Sequence, residues 1–274
     1  MALRRKTPPT NYGEVVETTR LSPTMMRVVL GGGTLDAFEP SSFTDSYVNA
    51  LFLPDGAPYE VPFSRDEVAE LDSELRPKPR RYTVRSWDGE KQQLTIDFVA
   101  HGDVGYAGRW AQHCGPGDRL QFNGPGGGYR PDPDADWYLM VGDESALPAI
   151  AASMEQVSEG TPCVVLAVVD SPDHELPLPT SSSIRVRWLH RSESADPADL
   201  LLGAVTALEF PSGTPDVFVH GEAGEVRGVR RHLKADRGID VDAASISPYW
   251  RRDHTDEAWR EIKSQWMADV RQDA

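Results

Sequence analysis

The stretch RPKPRRYTVR, residues 76–85, places five basic side chains beside a tyrosine and a threonine. If it forms a strand, Arg80 and Tyr82 lie on one face and Thr83 lies on the other. A guanidinium can bind a pyrophosphate through two hydrogen bonds, and a tyrosine ring can lie along a flat cofactor. The stretch therefore predicts a binding strand for a phosphate-bearing cofactor, although a basic edge strand that resists aggregation has the same composition.

A local basic patch is informative because the chain as a whole is acidic. It has 43 acidic and 28 basic side chains and a formal charge of −15. This charge argues against nonspecific binding to nucleic acid or to an anionic membrane surface. An anionic ligand then needs a local cluster of cations, because the overall field repels it.

A second phosphate-binding pattern follows in DFVAHGDVGYAGRWA, residues 97–111. We expect a strand to end at His101 and a glycine-rich turn, residues 105–108, to lead into a helix that begins near Arg109. Glycines before a helix N-terminus expose backbone N–H groups to a phosphate. Such turns are common, but after an Arg-x-Tyr-Thr strand this one predicts the second half of the same phosphate-binding site.

Several classes of site and location are excluded by the composition. Cys114 and Cys163 form no CxxC pair, which excludes a zinc site or an iron–sulfur cluster held by four thiolates. The basic start MALRRKTPPT is not followed by an apolar segment, so it does not resemble a secretory signal. The longest apolar run, residues 163–169, is too short to span a membrane. We expect a cytoplasmic protein with reduced thiols and no metal site.

The pattern of elements divides the chain in two. In residues 10–128, short runs such as MRVVL, YVNALFL and QLTIDFVA are separated by Gly and Pro turns, which predicts an antiparallel barrel or sandwich. One helix is expected over residues 64–75, with Ser64 as N-cap and Glu67 three residues later.

The segment 124–136 is rich in Pro, Gly and Asp and is interpreted as a linker. In residues 134–274, apolar strands alternate with helical patterns, which predicts βαβ units around a parallel sheet. A last helix is expected after Thr255 as its cap, with one apolar stripe made of Trp259, Ile262, Trp266 and Val270.

Taken together, these stretches resemble the siderophore-interacting proteins, a family of flavin-dependent ferric-siderophore reductases with a ferredoxin-reductase-like fold. The resemblance is carried by RPKPRRYTVR, DFVAHGDVGYAGRWA, DWYLMVGDESALPAIA, HGEAGEVRGVRRHL and SPYWRRDHTDEAW. It implies a β + α/β fold class. An N-terminal antiparallel β-barrel domain that binds FAD, residues 10–128, would precede a parallel-sheet α/β domain for NAD(P)H with a C-terminal helix, residues 134–274.

The same resemblance implies the site residues. Thr83 would be the catalytic residue, since a hydroxyl near flavin N5 can hydrogen-bond the atom that accepts hydride. The implied cofactor-binding residues are Arg80, Tyr82, Thr83, Val84, Asp97, Phe98, Val99, His101, Gly105, Tyr106, Ala107, Gly108, Trp110, Gly142, Asp143, Glu144, Ser145, Ala146 and Glu222. Where the family usually has serine, this chain has Gly108. The expected docking residues for an anionic ferric siderophore are Lys78, Arg130, Arg251 and Arg252.

The implied activity is ferric-siderophore reduction, in which FAD receives a hydride from NAD(P)H and passes single electrons to Fe(III), releasing Fe(II). The choice of nicotinamide stays open. Asp170 and Asp173 disfavour a 2′-phosphate, whereas Arg191 favours one.

Two other functions fit the same sequence. One is a flavin reductase that serves a protein redox partner, and the other is a flavin-free protein that binds ferric chelates. In each case we expect a monomer that associates stably with neither nucleic acid nor a membrane.

Overall fold

The protein is described here by a computed structural model that covers residues 10–100, 102 and 105–272. His101, an expected cofactor-binding residue, lies outside the described residues. The chain forms two compact units, residues 1–128 and 129–274.

The first unit is a closed barrel of six antiparallel strands in the order β1-β2-β5-β4-β3-β6. Two short α-helices accompany it, α1 (Arg65–Ala69) and α2 (Tyr106–His113). The strands are β1 (Thr10–Ser22), β2 (Met25–Gly31), β3 (Tyr47–Phe52), β4 (Lys78–Asp88), β5 (Gln93–Val99) and β6 (Arg119–Gly126).

The alternating pattern of β5 determines which face of this strand lines the barrel core. Leu94, Ile96 and Phe98 point inward and are fully buried, as expected for every second residue of a strand with one buried face. Asp97 is also buried, and it pairs with Arg27 directly opposite on β2. The Asp97 carboxylate accepts two hydrogen bonds from the Arg27 guanidinium, at 2.7 and 2.8 Å.

The second unit holds a five-stranded parallel sheet in the order β11-β10-β7-β8-β9. Its strands are β7 (Trp137–Gly142), β8 (Cys163–Val169), β9 (Ile184–His190), β10 (Pro215–Glu222) and β11 (Ser245–Trp250). Its helices are α3 (Leu147–Met154), α4 (Leu200–Thr206), α5 (Ala223–Ala235) and α6 (Asp256–Gln272). The fold class expected from the sequence, an antiparallel barrel followed by a parallel α/β unit, is confirmed.

Four local predictions need correction. The helix expected to begin near Arg109 begins at Tyr106, so only Gly105 of the expected glycine-rich turn precedes it. The helix expected over residues 64–75 ends at Ala69, although its Ser64–Glu67 capping box is present. The linker begins later than residue 124, because β6 continues through Gly126 and pairs there with Tyr47. Strand β11 was not predicted, because a strand that contains Pro248 reads as a turn; it lies at the edge of the sheet, where only β10 pairs with it.

The C-terminal helix forms as predicted. The Thr255 side chain accepts a hydrogen bond from the Ala258 N–H at 3.2 Å, which caps α6. Trp259 and Val270 are buried, and the Trp266 ring packs against Trp259 at 5.5 Å between ring centroids. Ile262 is 36% exposed, so the apolar stripe is only partly covered.

Candidate functional site

The barrel brings the Arg-x-Tyr-Thr strand and the glycine-rich helix start together. The Arg80 guanidinium carbon lies 5.7 Å from the centroid of the Tyr106 ring, and Tyr106 is the first residue of α2. The Tyr82 ring packs 4.4 Å from the Phe98 ring, centroid to centroid, which holds one side of the phenol against the barrel core. The two patterns that were 25 residues apart in sequence therefore form one surface.

The start of α2 can hold a phosphate. Gly105 precedes the helix at φ +77°, a left-handed conformation that glycine adopts without strain. Glycine has no side chain to cap the helix, and the first turn of α2 contains no acidic residue. Uncapped N–H groups at a helix N-terminus favour an anion. Beside the Arg80 guanidinium, these donors fit the pyrophosphate of FAD.

Several of the expected cofactor-binding residues have side chains that are packed or paired within the barrel. Phe98 and Val84 belong to the barrel core, and the Asp97 carboxylate is held by Arg27. These residues could contact FAD only through their backbone. Gly108 packs so closely on β5 that an added Cβ would lie 3.2 Å from the Ala100 Cα.

The remaining expected residues of this unit surround the same surface. Thr83 is buried and pairs across the sheet with Tyr47. Ala107 is buried, and Trp110 is half-buried with its ring 5.7 Å from that of Phe98. Val99 ends β5 and is half-buried. Their contact with FAD stays a prediction.

In the second unit, the carboxyl ends of β7 and β10 meet around Asp143. This side chain is fully buried. Its Oδ1 accepts hydrogen bonds from the Ser145 N–H at 2.9 Å and the Ser145 hydroxyl at 2.5 Å. Its Oδ2 accepts from the Glu222 N–H at 2.9 Å and the Trp250 indole at 2.7 Å. Asp143 thus ties together the ends of three neighbouring strands.

Gly142 allows this close approach. A Cβ added at Gly142 would lie 2.6 Å from the Ala146 Cβ and 2.7 Å from the His220 carbonyl oxygen. Any larger residue would push the start of α3 away from the sheet.

Both carboxylate oxygens of Glu222 accept hydrogen bonds from backbone N–H groups of the protein. Its Oε2 accepts from the Gly224 N–H at 2.6 Å and the Glu225 N–H at 3.1 Å, which caps α5. Its Oε1 accepts from the Arg252 N–H at 3.0 Å. These bonds hold α5 and the segment after β11 at the crevice. The expected contact of Glu222 with the nucleotide stays a prediction.

Arg191, considered from the sequence as a partner of a 2′-phosphate, is already paired. Its two terminal guanidinium nitrogens donate to the Glu144 carboxylate at 2.5 and 2.9 Å, and one of them also donates to Asp170 at 2.9 Å. Burial raises the pKa of Glu144, and the Arg191 pair opposes that rise. A 2′-phosphate here would have to compete with two carboxylates for one guanidinium.

Sequence reasoning missed two residues of this crevice. Glu225 is 3% exposed, its Oε1 accepts from the Arg252 guanidinium at 3.0 Å, and burial raises its pKa to about 7. Trp250 is 37% exposed and is anchored through its indole N–H to Asp143. The spacing of Glu222 and Glu225 at a helix start was the available signal for the first. Trp250 lies in SPYWRRDHTDEAW, one of the stretches that carry the family resemblance, but it was assigned no role.

The expected docking residues differ in how they are held. Lys78 donates from its ammonium group to the Ser73 carbonyl oxygen at 2.9 Å. Arg130 is exposed and Arg251 is half-buried. Arg252 is bound to Glu225, so its charge is already balanced in part. Their binding to a siderophore stays a prediction.

Residues 10–100, 102 and 105–272 contain neither a metal-binding cluster nor a membrane-spanning helix. No group of three or more His, Cys, Asp and Glu side chains is placed to hold a metal ion there. No helix in this part of the chain is long and apolar enough to cross a membrane.

Comparison with known proteins places both units in one family. Residues 14–129 match the model of the siderophore-interacting FAD-binding domain, and residues 135–253 match that of the siderophore-interacting protein. The ferric vibriobactin reductase ViuB of Vibrio cholerae is 33% identical over 90% of this chain and 92% of its own length. This chain belongs to the siderophore-interacting protein family. The predicted family and the predicted FAD cofactor are thereby confirmed.

Two further similar proteins support the assignment. The NADPH-dependent ferric-chelate reductase of Escherichia coli K12 is 30% identical over 86% of this chain and 91% of its own. The crystal structure of a siderophore utilization protein from T. fusca is 35% identical and superposes with a TM-score of 0.78, covering 90% of this chain and 94% of that one. The family resemblance thus extends over both units.

The role of Glu222 leads to a testable expectation for this siderophore-interacting protein. Replacing Glu222 with Leu should slow flavin reduction by NAD(P)H in stopped flow, because the crevice loses its anchor for α5 and for the backbone of Arg252. Loss of the helix cap should also lower the stability of the second unit by about 0.5–2 kcal/mol. FAD content should not change. An unaltered rate of flavin bleaching would show that the nicotinamide binds elsewhere.

Proposed function

We propose that this protein is an FAD-dependent NAD(P)H:ferric-siderophore oxidoreductase. The observation that carries the proposal is the joined surface of Arg80, Tyr82 and the uncapped start of α2, in a chain 33% identical to a ferric vibriobactin reductase. The parallel sheet of the second unit supplies the nucleotide site, since open α/β sheets bind ligands beyond the carboxyl ends of their strands.

Reduction is the chemical means of releasing the iron. Ferric iron is a hard cation that anionic oxygen ligands hold tightly, and ferrous iron is held far more weakly by the same donors. NAD(P)H supplies two electrons as hydride, each ferric ion takes one, and FAD can exchange electrons in either number. Within the protein, Arg80 and the N–H groups of α2 would hold the cofactor, and Thr83 would orient a hydrogen bond at its reacting edge.

A spectroscopic experiment tests this proposal. The purified protein should show flavin absorption bands that bleach when NADH or NADPH is added without oxygen. Comparison of the two bleaching rates identifies the donor, which the pairing of Arg191 with Glu144 and Asp170 leaves open. A colourless protein that still binds ferric chelates would instead be a carrier.

The cytoplasmic location of the protein stays a prediction.

The docking residues are best tested one at a time. We expect Arg251→Ala to weaken an anionic ferric siderophore by roughly tenfold, the effect of losing one charge-assisted contact of about 1.5 kcal/mol. A neutral ferric chelate should lose much less. The measurement is the rate of flavin reoxidation against chelate concentration, for both chelates and both proteins.

Arg251 is preferred over a double change with Arg252, because Arg252→Ala would also leave Glu225 without its guanidinium. Equal losses for both chelates would assign a packing role to Arg251. No loss for either would move the docking site to Lys78 or Arg130.

A further inference from the structure

The crevice at the carboxyl ends of β7 and β10 has an excess of buried negative charge. Four carboxylates are at most 6% exposed there, those of Asp143, Glu144, Glu222 and Glu225. Two guanidinium groups oppose them, Arg191 at Glu144 and Arg252 at Glu225. The carboxylates therefore outnumber the cations that pair with them.

Two of these carboxylates accept hydrogen bonds from backbone N–H groups that could otherwise bind a phosphate. Glu222 fills the N-terminus of α5, and Asp143 accepts the N–H of Ser145 just before α3. The start of α2 in the barrel is different, since its N-cap residue, Gly105, has no side chain and makes no capping hydrogen bond. The α/β crevice is thus built to receive an electrically positive or neutral group rather than an anion.

One oxygen of this cluster lacks a partner. The Glu225 side chain is 1% exposed, and its Oε2 makes no hydrogen bond with any residue in the described part of the chain. Burying a charged oxygen that has no hydrogen-bond partner costs free energy. A positive charge brought into the crevice would offset that cost.

The nicotinamide changes charge in the reaction. When a hydride leaves C4 of the dihydronicotinamide, the C–H bond breaks, and both electrons go with the hydrogen to FAD. The neutral ring becomes a pyridinium ring with one positive charge. A negative field around the ring therefore favours the state after transfer over the state before it.

We propose that the buried carboxylates Asp143, Glu222 and Glu225 make the nicotinamide site prefer the cationic, oxidised ring and thereby promote hydride donation. This inference rests on the proposed function, because it requires that NAD(P)H binds at this crevice. Glu225 acts through its charge and not by contact, since its side chain is buried in the first turn of α5.

Glu225 also makes the preference depend on pH. The charged groups that face it are Asp143 on β7, Glu222 on β10, Arg191 after β9 and Arg252 after β11. Burial raises its pKa to about 7, with Asp143 adding to the rise and the two arginines opposing it. The carboxyl is neutral below that pH and charged above it, so the preference for the cationic ring should grow as pH rises.

The test compares two ligands that share the same nucleotide body but carry a cationic or a neutral ring, and it follows how the ratio of their affinities changes with pH. These are NAD(P)⁺ and its unreactive, neutral tetrahydronicotinamide analogue, titrated by calorimetry into the full FAD-loaded protein. The ratio of the analogue's Kd to that of the oxidised nucleotide should rise by about tenfold between about pH 6 and about pH 8.5, as for one added charge roughly 10 Å away. The titration measures binding alone, so it does not depend on turnover.

Three variants separate charge from shape. In Glu225→Gln the ratio should stay constant with pH, and in Glu225→Asp, which keeps the charge, it should still rise. Glu209→Gln, an exposed site after α4, is the control and should behave like the wild type. A ratio independent of pH in the wild type itself, or an unchanged rise in Glu225→Gln, would overturn the inference while leaving the proposed function intact. If neither ligand binds, both the inference and the proposal that NAD(P)H is the electron donor would be wrong.

Discussion

Replacing Arg80 with Ala should weaken FAD binding by about ten- to a hundredfold, the effect of losing a charge-assisted contact of roughly 1.5–3 kcal/mol. Arg80 is the cation of β4 that lies over Tyr106, at the start of α2. No acidic side chain occupies the first turn of α2, so the guanidinium and the helix donors can act on the same pyrophosphate. The measurement is the FAD content after purification and the Kd on titrating FAD into the apoprotein.

Arg81→Ala is the matched control for this prediction. Arg81 is the next residue on the same strand, but it is exposed and its guanidinium lies over the Tyr47 ring, 5.3 Å from the centroid. Its removal changes the net charge equally and should leave FAD affinity nearly unchanged. Equal losses in the two variants would mean that general charge, and not a specific contact at Arg80, holds the cofactor.

The largest loss of stability is expected from Arg27→Leu. This change leaves the Asp97 carboxylate, 3% exposed, without its bidentate partner inside the barrel wall. Removing one member of a buried ion pair costs about 3–5 kcal/mol, because the remaining charge is buried and uncompensated. The free energy of unfolding of the barrel, measured with urea and followed by FAD release, should fall by that amount.

A surface pair in the same barrel provides the comparison. Arg119 binds Glu14 at 2.8 Å, but both side chains are more than 40% exposed. Arg119→Leu should therefore cost less than about 1 kcal/mol. Similar losses in the two variants would show that water reaches Asp97 and that the buried pair contributes little.

The barrel and the parallel sheet could be predicted because their signals are local. The alternation of Leu94, Ile96 and Phe98 fixes the buried face of one strand, and the continuous apolar run of β7 fits a strand covered on both faces. The motif around Arg80 was also visible, because residue type and spacing alone determine which side chains share a face.

The charge network of the crevice could not be predicted in the same way. Asp143, Glu222 and Trp250 are far apart in sequence, and their contacts depend on the order of the strands in the sheet. Arg252 resembled a free docking cation because sequence does not show that Glu225 faces it. The pairing of Asp97 with Arg27 could not be predicted either, because it depends on strand register.

The most direct test of ferric-siderophore reduction is a single-turnover experiment without oxygen. The protein is reduced with NAD(P)H, freed of excess nucleotide and mixed with a ferric siderophore and a ferrous-specific chelator. The account predicts that the flavin spectrum returns and that about two Fe(II) are trapped per FAD, since each ferric ion accepts one electron. The redox-inert gallium(III) complex of the same siderophore should leave the flavin reduced. Reduced flavin that persists with every ferric siderophore, yet is reoxidised by a protein electron acceptor, would contradict this function.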